Sequence, residues 1–405
     1  MAQCELQAPL GNATEGVLEF DGQRYLDGRA SDPSVLGWMR GAPPPADKRI
    51  TFDAGTVFAF PQSRWSLSHM RELRPTINVW RGQDGPSLLE RSDMSSDIDL
   101  ITFADTDGRT RRFDEALFDT YADGIVVLHR GRIVYERYLG ALEPHLPHSC
   151  QSITKSYTGT LTAAFVQEGV LDQLKMIPHY LPELRGTGWE DATLRQVMDM
   201  QTSLEYVQDV TKIDESYTCD FLRTVRKQGA HGEFAYKNVN TNVMAWVMAR
   251  VTGRSFAQLL HERLWAPLGC EEDGYIEIDP TTGAPRAASG LNTTLRDLAR
   301  FGEMIRCEGT WNAKQLVPAS VVHDLQEGDR FSRPQLPFGY TYRSQWWISH
   351  NELDALEGLG LYGQSLYIAP KAEMVIAIFA SHPASAHIDR IRVPQMLALG
   401  RTLRA

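Results

Sequence analysis

The chain has 405 residues, a formal net charge of −10 and 42% hydrophobic residues. The length suits one large composite domain or two domains, and the acidic balance argues against nucleic acid or an anionic membrane as partner. Five cysteines (Cys4, Cys150, Cys219, Cys270 and Cys307) are scattered without a C-x-x-C, which argues against a disulfide framework or a cysteine zinc site and suits a reducing compartment.

Residues 1–55 are polar and turn-rich, and GAPPPADK at 41–48 reads as extended and polyproline-like; this is an N-terminal extension expected to lie on the main body. The start lacks the charge and apolar pattern of a signal peptide. No apolar run reaches the roughly 18 residues of a membrane span, so a cytoplasmic protein is expected. The main domain is expected over 56–405. Within it, 124–140 holds two β-branched runs around HRG, a hairpin pattern. Helices are predicted at 156–172, at 238–253 with Gly253 as C-cap, and at 255–269 with Ser255 as N-cap and Pro267 past the end. Another is predicted at 293–305, capped by Thr293 or Thr294. SQWWIS, SLYIAP and EMVIAIFAS read as strands, the last two joined at PKA, before a C-terminal helix. Early strands, a helical insertion at about 156–290, late strands and a final helix make an α+β fold.

GLGLYGQS at 358–365 formally matches G-x-G-x-x-G. A dinucleotide site needs a strand before it, a helix after it and an acid about 20 residues on. QSLYIAP follows instead, a strand pattern, and AIFASHPAS further on holds no acid. The glycines therefore need another explanation.

Ser152-Ile153-Thr154-Lys155 is an S-x-x-K at the start of a helical stretch, and no other lysine of the chain has a serine three residues before it. The i, i+3 spacing puts Ser152 and Lys155 on one helix face. A helix start offers unpaired N–H groups where an oxyanion forms, and a serine needs a base to become a nucleophile. Tyr236-Lys237-Asn238 is the only Y-x-N. A tyrosine phenol can relay protons if cations stabilise its phenolate, and Asn238 suits a substrate amide. The structural alternatives are a capping Ser152, a core Tyr236 and a capping Asn238.

S-x-x-K, then Y-x-N, then a glycine-bearing strand resembles the penicillin-recognising serine hydrolases: class C β-lactamases, DD-peptidases and family VIII carboxylesterases. FPQSRWSLSHMRELRPT, HSCQSITKS, LRQVMDMQTSLEY, GEFAYKNVNTNVMAWVMARVTG, RDLARFG and RSQWWIS…GLGLYGQSLYIAP are similar to one branch, the 6-aminohexanoate-dimer hydrolases, from about residue 55 to the end. The resemblance implies a β-lactamase-like antiparallel sheet flanked by helices. It implies Ser152 as acylated nucleophile, Lys155 as base and Tyr236 as proton shuttle. It also implies an oxyanion hole of the Ser152 and Leu361 N–H groups, with Gly360, Tyr362 and Asn238 on the substrate side. Two departures follow. Gly358 stands where a lactamase carries a lysine for the β-lactam carboxylate. A tyrosine with which the branch grips the substrate amide maps onto Val210, with Tyr206 one helical turn earlier as a substitute. The implied function is acyl-enzyme hydrolysis of a small ester or amide, with a lactamase or D-amino-acid peptidase activity and acyl transfer as alternatives. No metal or cofactor is expected, and a homodimer stays open.

A Ser-His-Asp hydrolase would need G-x-S-x-G; GRSFA and GQSLY do not complete it, and His148, His231 and His382 are read as structural. The acidic positions of DATLRQVMDM and Asp214-Glu215 are read as solvated faces or caps.

Overall fold

The computed structural model describes residues 16–52, 55–207, 217–327 and 339–404. The elements that build the site are eleven strands and four helices. The strands are β1 (Thr76–Val79), β2 (Ala122–His129), β3 (Arg132–Tyr138), β4 (His148–Ser149), β5 (Gly274–Glu277), β6 (Leu291–Thr293), β7 (Thr341–Arg343), β8 (Trp346–Ile348), β9 (Leu356–Gly360), β10 (Gln364–Ala369) and β11 (Met374–Ala380). The helices are α1 (Ile153–Gln167), α2 (Asn238–Thr252), α3 (Leu295–Arg306) and α4 (Asp389–Arg404).

A seven-stranded antiparallel sheet runs in the order β7-β8-β9-β10-β11-β2-β3, so the early hairpin pairs with the last strand. Helix α3 packs on one face: a Cβ on Gly302 would sit 2.7 Å from a Val375 methyl and 2.8 Å from one of Leu366. Helix α4 covers the other, where Met396 and Leu399 join Phe113, Met374 and Ile376 in one buried cluster. A smaller antiparallel sheet, β1-β5-β6-β4, leads directly to the S-x-x-K turn. This is the α+β architecture expected.

Helix α1 is buried along nearly its whole length although rich in threonine. Thr158 and Thr162 return their hydroxyls to the carbonyls four residues back at 3.1 and 2.8 Å, which satisfies them without solvent. Gly159 has no room for a side chain, since a Cβ would lie 2.1 Å from the Ser344 carbonyl oxygen.

Several elements depart from the sequence reading. Helix α1 starts at Ile153, not 156, because Gln151 takes φ 45° and turns the chain sharply into it; it ends at Gln167, before Gly169 at φ 75°. The 255–269 helix does not run unbroken: Phe256–Leu260 passes into a π-turn at His261–Trp265, and Pro267 lies inside the last turn. Thr294, not Thr293, caps α3. The GAPPPADK segment keeps polyproline-like angles at Pro45 (φ −53°, ψ 146°) but is bent at 41–43 and enters a 3₁₀ turn at Ala46–Lys48. Before it, a hairpin of Val17–Phe20 and Gln23–Leu26 meets the body, where Tyr121 Oη donates to the Leu26 carbonyl at 2.9 Å. Among the described residues no helix is long and apolar enough to cross a membrane, and none of Cys150, Cys219, Cys270 and Cys307 is in a disulfide. Cys4 lies outside the described residues.

Candidate active site

Ser152 sits at the very start of α1 with helical backbone angles, and its hydroxyl makes no capping bond. Instead Lys155 Nζ donates to Ser152 Oγ at 2.9 Å and to the Ala288 carbonyl at 2.8 Å. Lys155 is 1% exposed, so its stem is held by packing and its head by these acceptors. The one-turn spacing brings the two side chains together, and Ala288, three residues ahead of β6, supplies the second acceptor.

Tyr236 lies just ahead of α2. Its ring centroid is 4.9 Å from Lys155 Nζ, and its ring stacks on Trp347 at 5.7 Å with Tyr342 edge-on at 5.9 Å. Burial pushes the Tyr236 phenol well above its ordinary range, and a hydrogen bond with the Ser152 side chain only partly opposes this. Burial thus favours the phenol form over the phenolate. Asn238 is the first residue of α2, so the capping position falls to Lys237, which makes no side-chain cap bond. Among the described residues the buried Asn238 Oδ1 has no hydrogen-bond partner.

The glycine strand lies against the nucleophile's turn. A Cβ on Gly360 would be 2.6 Å from the Cys150 carbonyl oxygen, and one on Gly358 3.0 Å from Ser156 Oγ. The glycines thus serve close packing of β9 against the start of α1, which carries the backbone at Leu361 to the Ser152 end of the helix. At Gly358 the strand presents no cation. Tyr362 follows with φ 65°; its N–H donates to Ser385 Oγ at 2.8 Å and its ring stacks on Phe58 at 6.1 Å. Burial pushes its phenol up to about 12.

Tyr206 packs edge-on against Phe221 at 6.1 Å, and its carbonyl accepts from Lys237 Nζ at 3.5 Å. Val210, Asp214 and Glu215 lie outside the described residues. Asp199, within the stretch read as solvated or capping, is 1% exposed. It accepts from the Ser344 N–H at 2.9 Å and from Arg343 Nη1 at 2.8 Å and pairs with Arg195, because the chain turns at Ser344 and Gln345 with positive φ and must be tied to the helices beneath. His148 Nε2 faces Asp123 Oδ2 at 3.2 Å; His231 Nδ1 accepts from the Ser203 N–H at 2.9 Å. Burial drives His382 down to about 3, which keeps it neutral.

Sequence reasoning missed three parts of the site. The Ala288 carbonyl left no trace, since a backbone acceptor has no residue identity. Of the Tyr342–Trp347 wall, only Trp347 falls in a stretch read as a strand, SQWWIS; Tyr342 lies on the strand before it. Gln345, whose amide joins Thr241 at 2.6 Å and the Met198 carbonyl at 2.7 Å, fastens that strand to α2 and to the short helix Leu194–Met198.

Comparison with known proteins gives a consistent answer. A family model described as Beta-lactamase matches residues 112–400. A 6-aminohexanoate-dimer hydrolase of Paenarthrobacter ureafaciens is 30% identical over 387 residues, 89% of this chain and 91% of that one. A solved Bacillus anthracis protein assigned as a 6-aminohexanoate-dimer hydrolase superposes with a TM-score of 0.80 at 31% identity, covering 85% of this chain and 95% of that one. A family VIII carboxylesterase shares the fold at a TM-score of 0.59 and 18% identity, covering 71% and 95%. With the family model spanning most of its length and a relative at 30% identity over nearly all of it, the chain belongs to the beta-lactamase family of hydrolases.

Proposed function

We propose that the protein hydrolyses small carboxylic esters or amides through an acyl-enzyme on Ser152. The observation that carries this is the 2.9 Å contact between Lys155 Nζ and Ser152 Oγ at a helix start, with Tyr236 beside both. In the neutral form, Lys155 takes the Ser152 proton as Oγ attacks the carbonyl carbon. The Ser152 and Leu361 N–H groups receive the oxyanion, each donor worth roughly 3–4 kcal/mol in comparable sites. Tyr236, held as a phenol, passes its proton to the leaving alcohol or amine and is reprotonated through Lys155. Water then repeats the attack on the acyl-enzyme and regenerates the Ser152 hydroxyl. Asn238 Oδ1, buried and unpaired among the described residues, is suited to accept from a substrate amide N–H.

A linear amide of an ω-amino acid is the second reading, favoured by the 30% identity to the Paenarthrobacter hydrolase. A β-lactam is disfavoured by Gly358. The test is Ser152→Ala assayed on p-nitrophenyl esters, 6-aminohexanoate oligomers and a chromogenic cephalosporin, with fluorophosphonate labelling. Turnover and labelling are both expected to vanish; a variant that keeps either rules out Ser152 as the nucleophile.

A further inference from the structure

A cavity of about 380 Å³ lies beside α2, lined by Asn242, Ala245, Trp246, Phe256, Tyr217 and Pro285 among others, and its walls are mainly apolar. That volume holds about a dozen non-hydrogen atoms at roughly 30 Å³ each, within the usual range of small-molecule pockets. Two chain segments link it to the catalytic cluster. On α2, Asn238, Asn242, Ala245, Trp246 and Ala249 fall at i, i+4, i+7, i+8 and i+11, a single helix face. The path from Asn238 to Trp246 is about 12 Å at 1.5 Å per residue. Opposite, the chain that gives the Ala288 carbonyl to Lys155 and the Ala287 carbonyl to Thr158 reaches Pro285 and Ala284, which line the cavity, within at most about 13 Å.

Among the described residues, the charged groups nearby are matched. Asp220 accepts from Arg223 at 2.7 Å, and Arg286 turns to Glu277 at 2.6 Å. The cavity therefore offers Trp246, Phe256 and Ala245 to a neutral occupant. We propose that it is the distal subsite of the catalytic cleft, taking an uncharged apolar chain of about eight or more bonds attached to the scissile carbonyl. This rests on Ser152 being the acylated nucleophile.

Two series of substrates test it. p-Nitrophenyl esters from acetate to decanoate lengthen the acyl half; alkyl acetates from ethyl to decyl lengthen the alcohol half. kcat/KM is expected to climb by up to about fourfold per methylene in one series once the chain reaches the cavity, and the series that climbs identifies the half bound there. Ala249→Trp, which fills the cavity from a half-exposed position, should cut the decanoate-to-acetate or decyl-to-ethyl ratio by tenfold or more. Decanol binding to the Ser152→Ala protein, measured by calorimetry, should be lost with Ala249→Trp added. Flat profiles in both series overturn the subsite, as do a ratio unchanged in a folded Ala249→Trp variant or decanol binding that survives it. Ester hydrolysis that persists in Ser152→Ala overturns the nucleophile instead, so the two failures are distinct.

Discussion

Gly360→Ala should disable catalysis by moving a strand, without touching a reacting side chain. Gly360 has φ −128° and ψ 152°, extended angles that alanine adopts freely, so any penalty is steric. The new Cβ would stand 2.6 Å from the Cys150 carbonyl oxygen and 2.8 Å from Gln364 Cβ. A carbon–oxygen contact needs about 3.3 Å or more, so the strand must retreat by something near 1 Å. Cys150 cannot yield instead: its N–H is tied to the Leu291 carbonyl at 2.8 Å and its carbonyl accepts from Ile153 at 3.1 Å. Overpacking of this kind costs about 1–3 kcal/mol of stability. A displacement near 1 Å of the Leu361 N–H should lower kcat by about 100-fold, approaching the 100- to 1,000-fold of a deleted oxyanion donor. The assay is kcat on p-nitrophenyl acetate alongside a urea melt. Gly85→Ala serves as control, since a Cβ there meets nothing within 4 Å. A folded Gly360→Ala protein with kcat within threefold of wild type would refute both the packing argument and the assignment of Leu361.

Three further expectations follow from other parts of the structure. Tyr236→Phe keeps the stacking on Trp347 but removes the proton, so kcat should fall by about 100- to 10,000-fold with the melting temperature nearly unchanged; a small loss of kcat would remove Tyr236 from proton transfer. Burial pushes the Glu357 carboxyl from its ordinary 4.5 up to about 7, against a counteracting hydrogen bond from Tyr340. The folded protein thus holds a proton the unfolded chain has released, and stability falls as pH rises from about 4.5 through 7, by on the order of 3 kcal/mol; Glu357→Gln should flatten that slope in urea melts between pH 5 and 8. Asp199→Ala leaves Arg343 and Arg195 with Asp324 as their carboxylate and strands the buried Ser344 N–H, so a loss of about 1–3 kcal/mol is expected by chemical denaturation; a loss below about 0.5 kcal/mol would show that the residues around Ser344 are held by other contacts.

The legible features were those governed by short-range geometry. The 124–140 hairpin appeared as paired strands because β-branched runs flank a tight HRG turn. Gly253 closes α2 with φ 68°, as a glycine after a periodic apolar stretch predicts. Errors arose where tertiary contact overrides propensity. By its sequence position Pro267 reads as a helix terminator, yet it fits the last turn after a π-turn has shifted the register. Asp199 does cap the short helix Leu194–Met198, as one of its two readings has it, but it is also buried against Arg343, a partner 144 residues away that no local pattern joins to it.

The sequence by itself determined that Ser152 and Lys155 would meet, since three residues make nearly one helical turn wherever the helix lies. It determined, too, that the glycines at 358–363 are no phosphate cradle, because a strand follows them. Only the tertiary structure decided what those glycines do, which is to let β9 rest against the Cys150 carbonyl and Ser156. It also decided that Lys155 finds its second acceptor at Ala288, 133 residues away, and that Tyr236 is walled by Trp347 and Tyr342. Local periodicity carries information over a few residues; a carbonyl oxygen and a contact across the chain leave no mark on it.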